Sequence, residues 1–198
     1  MENNREESNR MIRKLLPCRP DEREEPVVFG VIRATGDTEY ADLLLFENDP
    51  LRAVKTALLH GAHIVTDAPA AYSAIDIERL EKLGGKCLYF NEDEDVKNEA
   101  VRRGLTPAAI AMRKAAKMHE PFVCVIAESP EALHEIGRIE RTGHLDAAAV
   151  VAVPAGFVQA EEAKEEILRS GIPVIVSRGT KGGSQVGAAI INAILEEL

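Results

Sequence analysis

The stretch FVCVIA (122–127) is an uninterrupted apolar run, and Glu128, Ser129 and Pro130 follow it directly. A continuous apolar run, rather than an alternating one, is typical of a strand that is buried on both faces, as in a parallel sheet covered by helices. Ser129 is a favourable helix N-cap, and Pro130 suits the first helical position. The stretch therefore predicts a buried strand that leads through a short loop into a helix.

The same pattern recurs on both sides of this unit. Further strand candidates are AHIVTD (62–67), KCLYF (86–90), AAAVVAV (147–153) and IPVIVS (172–177). Helices are predicted over 50–60, 159–170 and 183–197, and a further one begins at Thr106 and Pro107. We expect one α/β domain over residues 21–198, with a five-stranded, mostly parallel sheet flanked by helices. Loops that follow parallel strands gather at one edge of such a sheet, where ligands bind.

The residues before this domain and at its start are less clear. Residues 1–20 are mostly polar and mixed in charge, which predicts an N-terminal arm that becomes ordered on contact. In PVVFGVIRATGD (26–37) the Val, Phe and Ile residues favour a strand, whereas the acidic residues before it resemble a helix capping box. Pro26 is compatible with a helix only near its first turn, so a helix here would start close to Glu25 or be distorted at Pro26.

Composition excludes several classes of protein. The 198 residues carry 24 Lys and Arg against 33 Asp and Glu, a formal charge of -9, and only 4% of them are aromatic. Nucleic acid is therefore an unfavourable partner. No apolar run is long enough to cross a bilayer, and the N-terminus lacks a signal-peptide core, so we expect no membrane association. Three widely spaced cysteines fit a reducing cytoplasm.

The segment SRGTKGGSQVGAAIINAIL (177–195) is a candidate anion site. Gly182 and Gly183 let the backbone approach a ligand closely, and a following helix would offer free N–H groups. Arg178 and Lys181 add positive charge. Neither a P-loop nor a GxGxxG motif is present, which disfavours a nucleotide. The alternative is a capped helix with tight-turn glycines and two solvated cations.

The segment VPAGFVQAEEAKEEIL (153–168) also faces the ligand edge, because it begins at the end of a predicted strand. The alternative is that Phe157 and Val158 only plug the edge of the sheet. The charged residues that follow are interpreted as a solvated helix face; they are Glu161, Glu162, Lys164, Glu165 and Glu166.

Other polar and reactive residues give weaker signals. Asp67, at the end of its strand, is either a cap for a helix over 68–75 or a ligand contact, and capping is favoured. Cys124 is interpreted as a buried hydrophobic residue rather than a catalytic thiol. The histidines are not placed at metal-ligand spacing, so no protein-bound metal and no cofactor are expected.

The order of these motifs resembles the precorrin-8X methylmutase family, isomerases that move a methyl group on a tetrapyrrole in cobalamin biosynthesis. The resemblance covers roughly residues 20–197 and rests on PAGFV (154–158) with Glu162 and Lys164, and on RGTKGGS (178–184). Further matches are ATGD (34–37), GAHIVTD (61–67) and SPEAL (129–133). The resemblance implies a helix over about 21–33 and a homodimer. It also implies that the substrate is an anionic tetrapyrrole of the precorrin-8X or cobalt-precorrin-8 type.

The resemblance also assigns site residues. Arg33 stands at the position of the family's catalytic histidine, and Pro107 and Glu128 replace an Arg and an Asn of the family. The substrate contacts that it implies are Thr35, Asp67, Thr106, Glu128, Gly156, Phe157, Arg178, Lys181, Gly182, Gly183 and Ser184. Arg33, Arg178, Lys181 and the start of the last helix are expected to converge on ligand carboxylates.

Two functional hypotheses follow from different classes of protein. The first is a methylmutase in which Arg33 binds or polarises the macrocycle as a fixed cation, since an arginine does not readily give up its proton. The second is a tetrapyrrole- or corrinoid-binding protein without turnover, which the three replaced pocket residues favour.

Overall fold

The computed structural model describes residues 2–143 and 145–198, with side chains from Asn4 onward. Met1 of the predicted arm and His144 lie outside the described residues. Within this part of the chain, six strands form one sheet in the order β1-β6-β5-β4-β2-β3. The strands are β1 (Leu44–Glu47), β2 (His63–Thr66), β3 (Cys87–Leu88), β4 (Phe122–Ile126), β5 (Ala147–Ala152) and β6 (Val174–Ser177). All neighbours pair in parallel except β1, which pairs antiparallel with β6.

Helices cover both faces of the sheet. Those before β4 are α1 (Glu2–Leu15), α2 (Glu25–Thr35), α3 (Tyr40–Leu43), α4 (Pro50–Leu59), α5 (Pro69–Ala74), α6 (Ile77–Lys82), α7 (Glu94–Arg103) and α8 (Pro107–Ala115). Those after it are α9 (Pro130–Glu140), α10 (Ala160–Leu168) and α11 (Ser184–Leu195). None of the described helices is long and apolar enough to cross a membrane.

The central strand β4 explains this layering. Val123 and Val125 belong to the apolar core under α2, α4 and α11, whereas Phe122, Cys124 and Ile126 belong to the core under α8, α9 and α10. Successive side chains of a strand point to opposite faces, so a run buried on both faces must be apolar throughout. The predicted α/β class and the mostly parallel sheet are confirmed.

The predicted number of strands is wrong. The additional strand, β1, follows directly after the short helix α3, and its residues are buried to very different degrees. Its register places Leu44 opposite Ser177, at the antiparallel edge of the sheet. A four-residue edge strand lacks the long apolar run that marks a strand covered on both faces, so the sequence pattern did not reveal it.

The segment with conflicting propensities is helical, as the family resemblance implied. Helix α2 begins at Glu25, has Pro26 in its first turn and ends at Thr35, and it is capped by Gly36, whose φ of 71° is left-handed. Its residues Val27 to Ile32 are all buried. At Gly30 the helix lies so close to α11 that an added Cβ would come within 2.8 Å of the Ala193 Cβ. Packing against α11 therefore overrides the strand propensity of the valines.

The helix caps confirm two predictions and correct one. The Ser129 hydroxyl accepts the Ala132 N–H at 3.1 Å, and Thr106 accepts the Ala109 N–H at 3.3 Å. Asp67 does not cap the helix that follows it, because α5 has Ala68 at its N-cap and no side-chain cap. The predicted N-terminal arm contains α1, whose Ile12 is buried in the core.

Candidate functional site

The carboxyl edge of the parallel strands gathers the loops that the sequence pointed to. Loops after β2, β4, β5 and β6 start at Asp67, Ala127, Val153 and Arg178. The end of α2 joins them, because the Gln185 side chain at the start of α11 donates to the Ala34 carbonyl. These loops form the candidate site, which we call the carboxyl-edge site.

Asp67 organises the loop between β4 and α9. Its carboxylate is buried and accepts the backbone N–H groups of Ala127 at 2.7 Å, Glu128 at 3.2 Å and Ser129 at 2.6 Å. Burial raises the Asp67 pKa to about 6, and the three N–H donors oppose that rise. Asp67 thus holds the loop that carries Glu128, a role that neither of its sequence interpretations included.

Glu128 connects this loop to the last helix. Its Oε1 accepts the Ser184 hydroxyl at 2.8 Å, at the first residue of α11. Glu128 and Ser184, two predicted substrate contacts that are 56 positions apart, therefore meet at the carboxyl edge. A carboxylate there would repel the carboxylates of an anionic ligand.

The loop between β6 and α11, residues 178–183, which we call the glycine-rich loop, packs tightly against the end of β5. The Gly183 N–H donates to the Val153 carbonyl at 2.6 Å, and the Gly156 N–H donates to the Thr180 carbonyl at 2.9 Å. A Cβ on Gly182 would lie 2.1 Å from the Val153 carbonyl oxygen, so only glycine fits there. The motifs PAGFV (154–158) and RGTKGGS (178–184) thus form one continuous surface.

The predicted cations are paired with protein groups. Lys181 Nζ lies 2.6 Å from Asp37 Oδ2 and 2.9 Å from Glu39 Oε2. The hydrogen bonds that Lys181 donates to the Asp37 and Glu39 carboxylates raise the Lys181 pKa, and the bond from Lys181 lowers the Asp37 pKa. Arg178 Nε lies 3.2 Å from Glu165 Oε1.

Arg33 has a different set of neighbours from the other two cations. Its Nη1 donates to Asn9 Oδ1 of α1 at 2.5 Å. Burial lowers the Arg33 pKa, nearby Arg5 lowers it further, and Glu196 opposes the shift. The described contacts therefore direct the guanidinium toward α1 and the end of α11, and they do not bring it together with Arg178 or Lys181.

The remaining predicted contacts lie in several places. Thr35 is in the last turn of α2, where its hydroxyl donates to the Val31 carbonyl at 2.8 Å. Thr106 caps α8 and lines a groove of about 450 Å³ that also contacts α9 and α10. Phe157 and Val158 are 91% and 79% exposed, so the interpretation that they plug the sheet edge is wrong.

Two residues at this edge, Tyr89 and Asn91, were not predicted from the sequence. Tyr89 lies within electrostatic reach of Asp67 and Glu128, and burial is the largest cause of its raised pKa. The Asn91 side chain donates to the Asp67 carbonyl at 2.9 Å, while its buried Oδ1 accepts no hydrogen bond from the described residues. Tyr89 lies near the end of the predicted strand 86–90 and Asn91 follows it directly, and polar side chains at the end of a strand were the available signal.

The interpretation that all the charged residues of α10 are solvated is wrong for Lys164. This side chain is 1% exposed, and its Nζ donates to the Lys181 carbonyl at 3.1 Å. The described residues contain no cluster of three or more His, Cys, Asp or Glu side chains that could hold a metal ion. Burial raises the pKa of the Cys87 and Cys124 thiols to about 12, so neither is poised as a nucleophile.

Comparison with known proteins agrees with this arrangement of motifs. The family model for precorrin-8X methylmutase matches residues 5–197. The cobalt-precorrin-8 methylmutase of Priestia megaterium is 36% identical over 173 residues, which are 87% of this chain and 77% of the relative. The enzyme of the same name from Salmonella typhimurium is 36% identical over 186 residues, covering 91% of this chain and 87% of the relative.

Solved structures give the same result. The crystal structure of precorrin-8X methyl mutase from Thermus thermophilus superimposes with a TM-score of 0.85 at 28% identity, covering 96% of this chain and 94% of that one. A precorrin-8X methylmutase related protein gives a TM-score of 0.88 at 28% identity, covering 96% of this chain and 100% of that one. The match spans the fold, the glycine-rich loop and the carboxyl edge, and the chain therefore belongs to the precorrin-8X methylmutase family, isomerases of cobalamin biosynthesis.

Proposed function

We propose that the carboxyl-edge site binds an anionic tetrapyrrole of the precorrin-8X or cobalt-precorrin-8 type and moves a methyl group on it. One observation carries the proposal: hydrogen bonds join the loops after β2, β4, β5 and β6 into one surface with the end of α2. Cobalt, where present, belongs to the substrate. No cofactor is included in this proposal.

The contacts support particular roles for the residues. Lys181 and Arg178 supply positive charge at the rim, and a ligand carboxylate would compete with their carboxylate partners Asp37, Glu39 and Glu165. Gly156 and Gly183 allow the macrocycle to approach the backbone closely, whereas Gly182 is needed for the close packing against the Val153 carbonyl. The exposed ring of Phe157 offers an apolar surface to the flat ligand.

Arg33 acts in this proposal as a fixed cation and not as a proton donor. A guanidinium remains charged even when burial lowers its pKa, so it can orient a carboxylate or polarise a ring nitrogen. The rate enhancement then comes from holding the macrocycle in a reactive conformation and stabilising the charge that develops as the methyl group migrates. For this role the Arg33 side chain must turn from Asn9 toward the ligand.

The oligomeric state and the cellular location are also part of the proposal. We propose a homodimer, by resemblance to the family, and a cytoplasmic location, which the three free cysteines support. Light scattering at micromolar concentration should give twice the chain mass of 21.6 kDa, and a mass near 21.6 kDa would contradict the dimer.

A binding protein without turnover remains the second candidate, because one observation favours it. The Arg33 guanidinium already has a partner in Asn9 and lies near the Arg5–Glu196 ion pair, and no described hydrogen bond or ion pair joins it to the glycine-rich loop. A residue held in this way still contributes to the shape of the site but does not act on the macrocycle.

The deciding experiment is turnover with purified substrate. The protein is incubated with precorrin-8X, and separately with cobalt-precorrin-8, and the product is followed by absorbance and by a chromatographic shift without a change of mass. Conversion at a rate proportional to protein concentration supports the methylmutase. A ligand-induced spectral change without conversion supports the binding protein. If high micromolar ligand gives neither conversion nor a spectral change, both candidate functions are rejected.

A further inference from the structure

Lys164 of α10 is a buried charge without an ionic partner among the described residues. Its side chain is 1% exposed, and its one hydrogen bond runs from Nζ to the Lys181 carbonyl at 3.1 Å. The neighbouring residues on this face of α10, which are Ala160, Ala163 and Ile167, are buried and apolar.

This arrangement costs folding free energy. Burial lowers the Lys164 pKa to about 8, and Glu161 on the same helix opposes that shift. Removing a charge from water without a paired carboxylate is unfavourable, and an apolar side chain of similar length is often at least as stable in such a place. Stability alone therefore does not account for a lysine at this position.

Lys164 donates its hydrogen bond to the peptide group between Lys181 and Gly182, in the glycine-rich loop. The Lys181 carbonyl accepts both Lys164 Nζ and the Ser177 hydroxyl, the latter at 2.8 Å. In a trans peptide the C=O and the following N–H point in opposite directions. With the carbonyl held inward by two donors, the Gly182 N–H points away from them, and it donates to no described residue.

We propose that Lys164 is a positioning residue that fixes the peptide between Lys181 and Gly182, so that the Gly182 N–H donates to a carboxylate of the bound tetrapyrrole. The identity of the ligand rests on the proposed function. The close packing of Gly182 against the Val153 carbonyl leaves the loop little room to present this N–H in another way. Lys164 acts through the loop and does not itself touch the ligand.

The test compares Lys164→Met with Lys82→Met, which removes an exposed lysine of α6. We expect Lys164→Met to unfold at the wild-type temperature or above it, because a buried charge is lost. Its KM for cobalt-precorrin-8 should rise about tenfold, because one hydrogen bond to a charged group of the ligand is lost. Its kcat should stay within about threefold of the wild-type value. Ser177→Ala, which removes the second donor without adding bulk, should also raise KM. Lys82→Met should change neither constant.

Two results would overturn the inference. One is an unchanged KM in both Lys164→Met and Ser177→Ala. The other is a Lys164→Met protein with reduced thermal stability and a kcat that falls in parallel with kcat/KM, as expected of a lysine that only supports the fold.

A wild type that neither binds nor converts the substrate would reject the proposed function instead. Hydrogen exchange then decides the positioning role separately. We expect faster exchange of the Gly183 amide, which donates to Val153, in Lys164→Met than in Lys82→Met. Equal exchange rates in the two variants would overturn the role of Lys164.

Discussion

Lys181 Nζ lies 2.6 Å from Asp37 Oδ2, an ion pair between residues that are 144 positions apart in the chain. The pair ties the ATGD (34–37) segment at the end of α2 to the glycine-rich loop before α11. Both motifs contributed to the family resemblance from separate parts of the sequence, and the ion pair joins them in the folded protein.

The first prediction concerns this pair. Asp37→Asn removes one of the two carboxylates that hold Lys181, and both partners are partly exposed, so the free energy of unfolding should fall by less than about 1 kcal/mol. The Lys181 ammonium loses its fixed position at the rim of the site, so the KM for cobalt-precorrin-8 should rise several-fold. Glu78→Gln breaks the exposed pair with Lys82 and serves as the control. Equal effects of the two changes on KM would contradict the prediction.

The second prediction concerns the pH dependence of stability. The Asp67 pKa is raised to about 6 in the fold by burial, above its unfolded value, so the folded state binds more protons between about pH 4 and 6. Its contribution to stability is therefore gained as pH falls through 6 and lost as pH rises. Compared with Asp67→Asn, the wild type should gain about 2 kcal/mol between pH 7 and pH 4.

The measurement is urea unfolding of both proteins at several pH values in this range. The difference between them isolates Asp67, because carboxylates with lowered pKa, such as Glu135 and Glu166, titrate alike in both proteins. A difference that stays constant, or that shrinks toward low pH, would show that the hydrogen bonds from Ala127, Glu128 and Ser129 outweigh burial.

The third prediction concerns thiol reactivity. Cys18 is exposed, whereas Cys87 and Cys124 are buried, and burial raises the pKa of both buried thiols to about 12. A thiol reagent at pH 8 should therefore label one cysteine rapidly in the native protein and all three in urea. Cys18→Ser should abolish the rapid phase. Rapid labelling that persists in this variant would contradict the burial of the other two.

The sequence predicted the sheet more successfully than the chemistry at its edge. The run FVCVIA (122–127) marks β4 because burial on both faces requires apolar residues at every position. Strand β1 lies at the edge of the sheet and is only partly buried, so its residues need not all be apolar and the pattern did not reveal it. The burial of Lys164 was not predictable from α10, because a charged residue among glutamates has the same local pattern whether it faces solvent or the glycine-rich loop.

The placement of Arg33 shows the same limit. The family resemblance implies a catalytic position for it, but the direction of its long side chain depends on Asn9, which lies 24 positions earlier in a different helix. Asp67 is similar, since the N–H groups that it accepts come from a loop about 60 positions later. Contacts of this kind depend on how the elements pack, which local patterns do not encode.

The last prediction concerns Arg33 itself. The rate of the wild type should show no ionisation from position 33, because the guanidinium stays charged throughout the working pH range. Arg33→His supplies a side chain that exchanges its proton near neutrality, but it leaves Glu128 and Pro107 unchanged, so turnover of precorrin-8X should rise only modestly. Glu128→Asn added to it should raise turnover further. It removes a carboxylate that repels the ligand and keeps an oxygen that can accept the Ser184 hydroxyl.

The assay is formation of hydrogenobyrinic acid over a range of pH, for the wild type, both single variants and the double variant. The double variant should show a new ionisation near pH 6 to 7 that is absent from Glu128→Asn alone. Asn9→Ala is the matched control, since it releases Arg33 from its partner in α1 without changing residue 33. If the wild type already turns over as fast as the double variant, Arg33 does not impair methyl migration. The binding protein without turnover is then rejected as well.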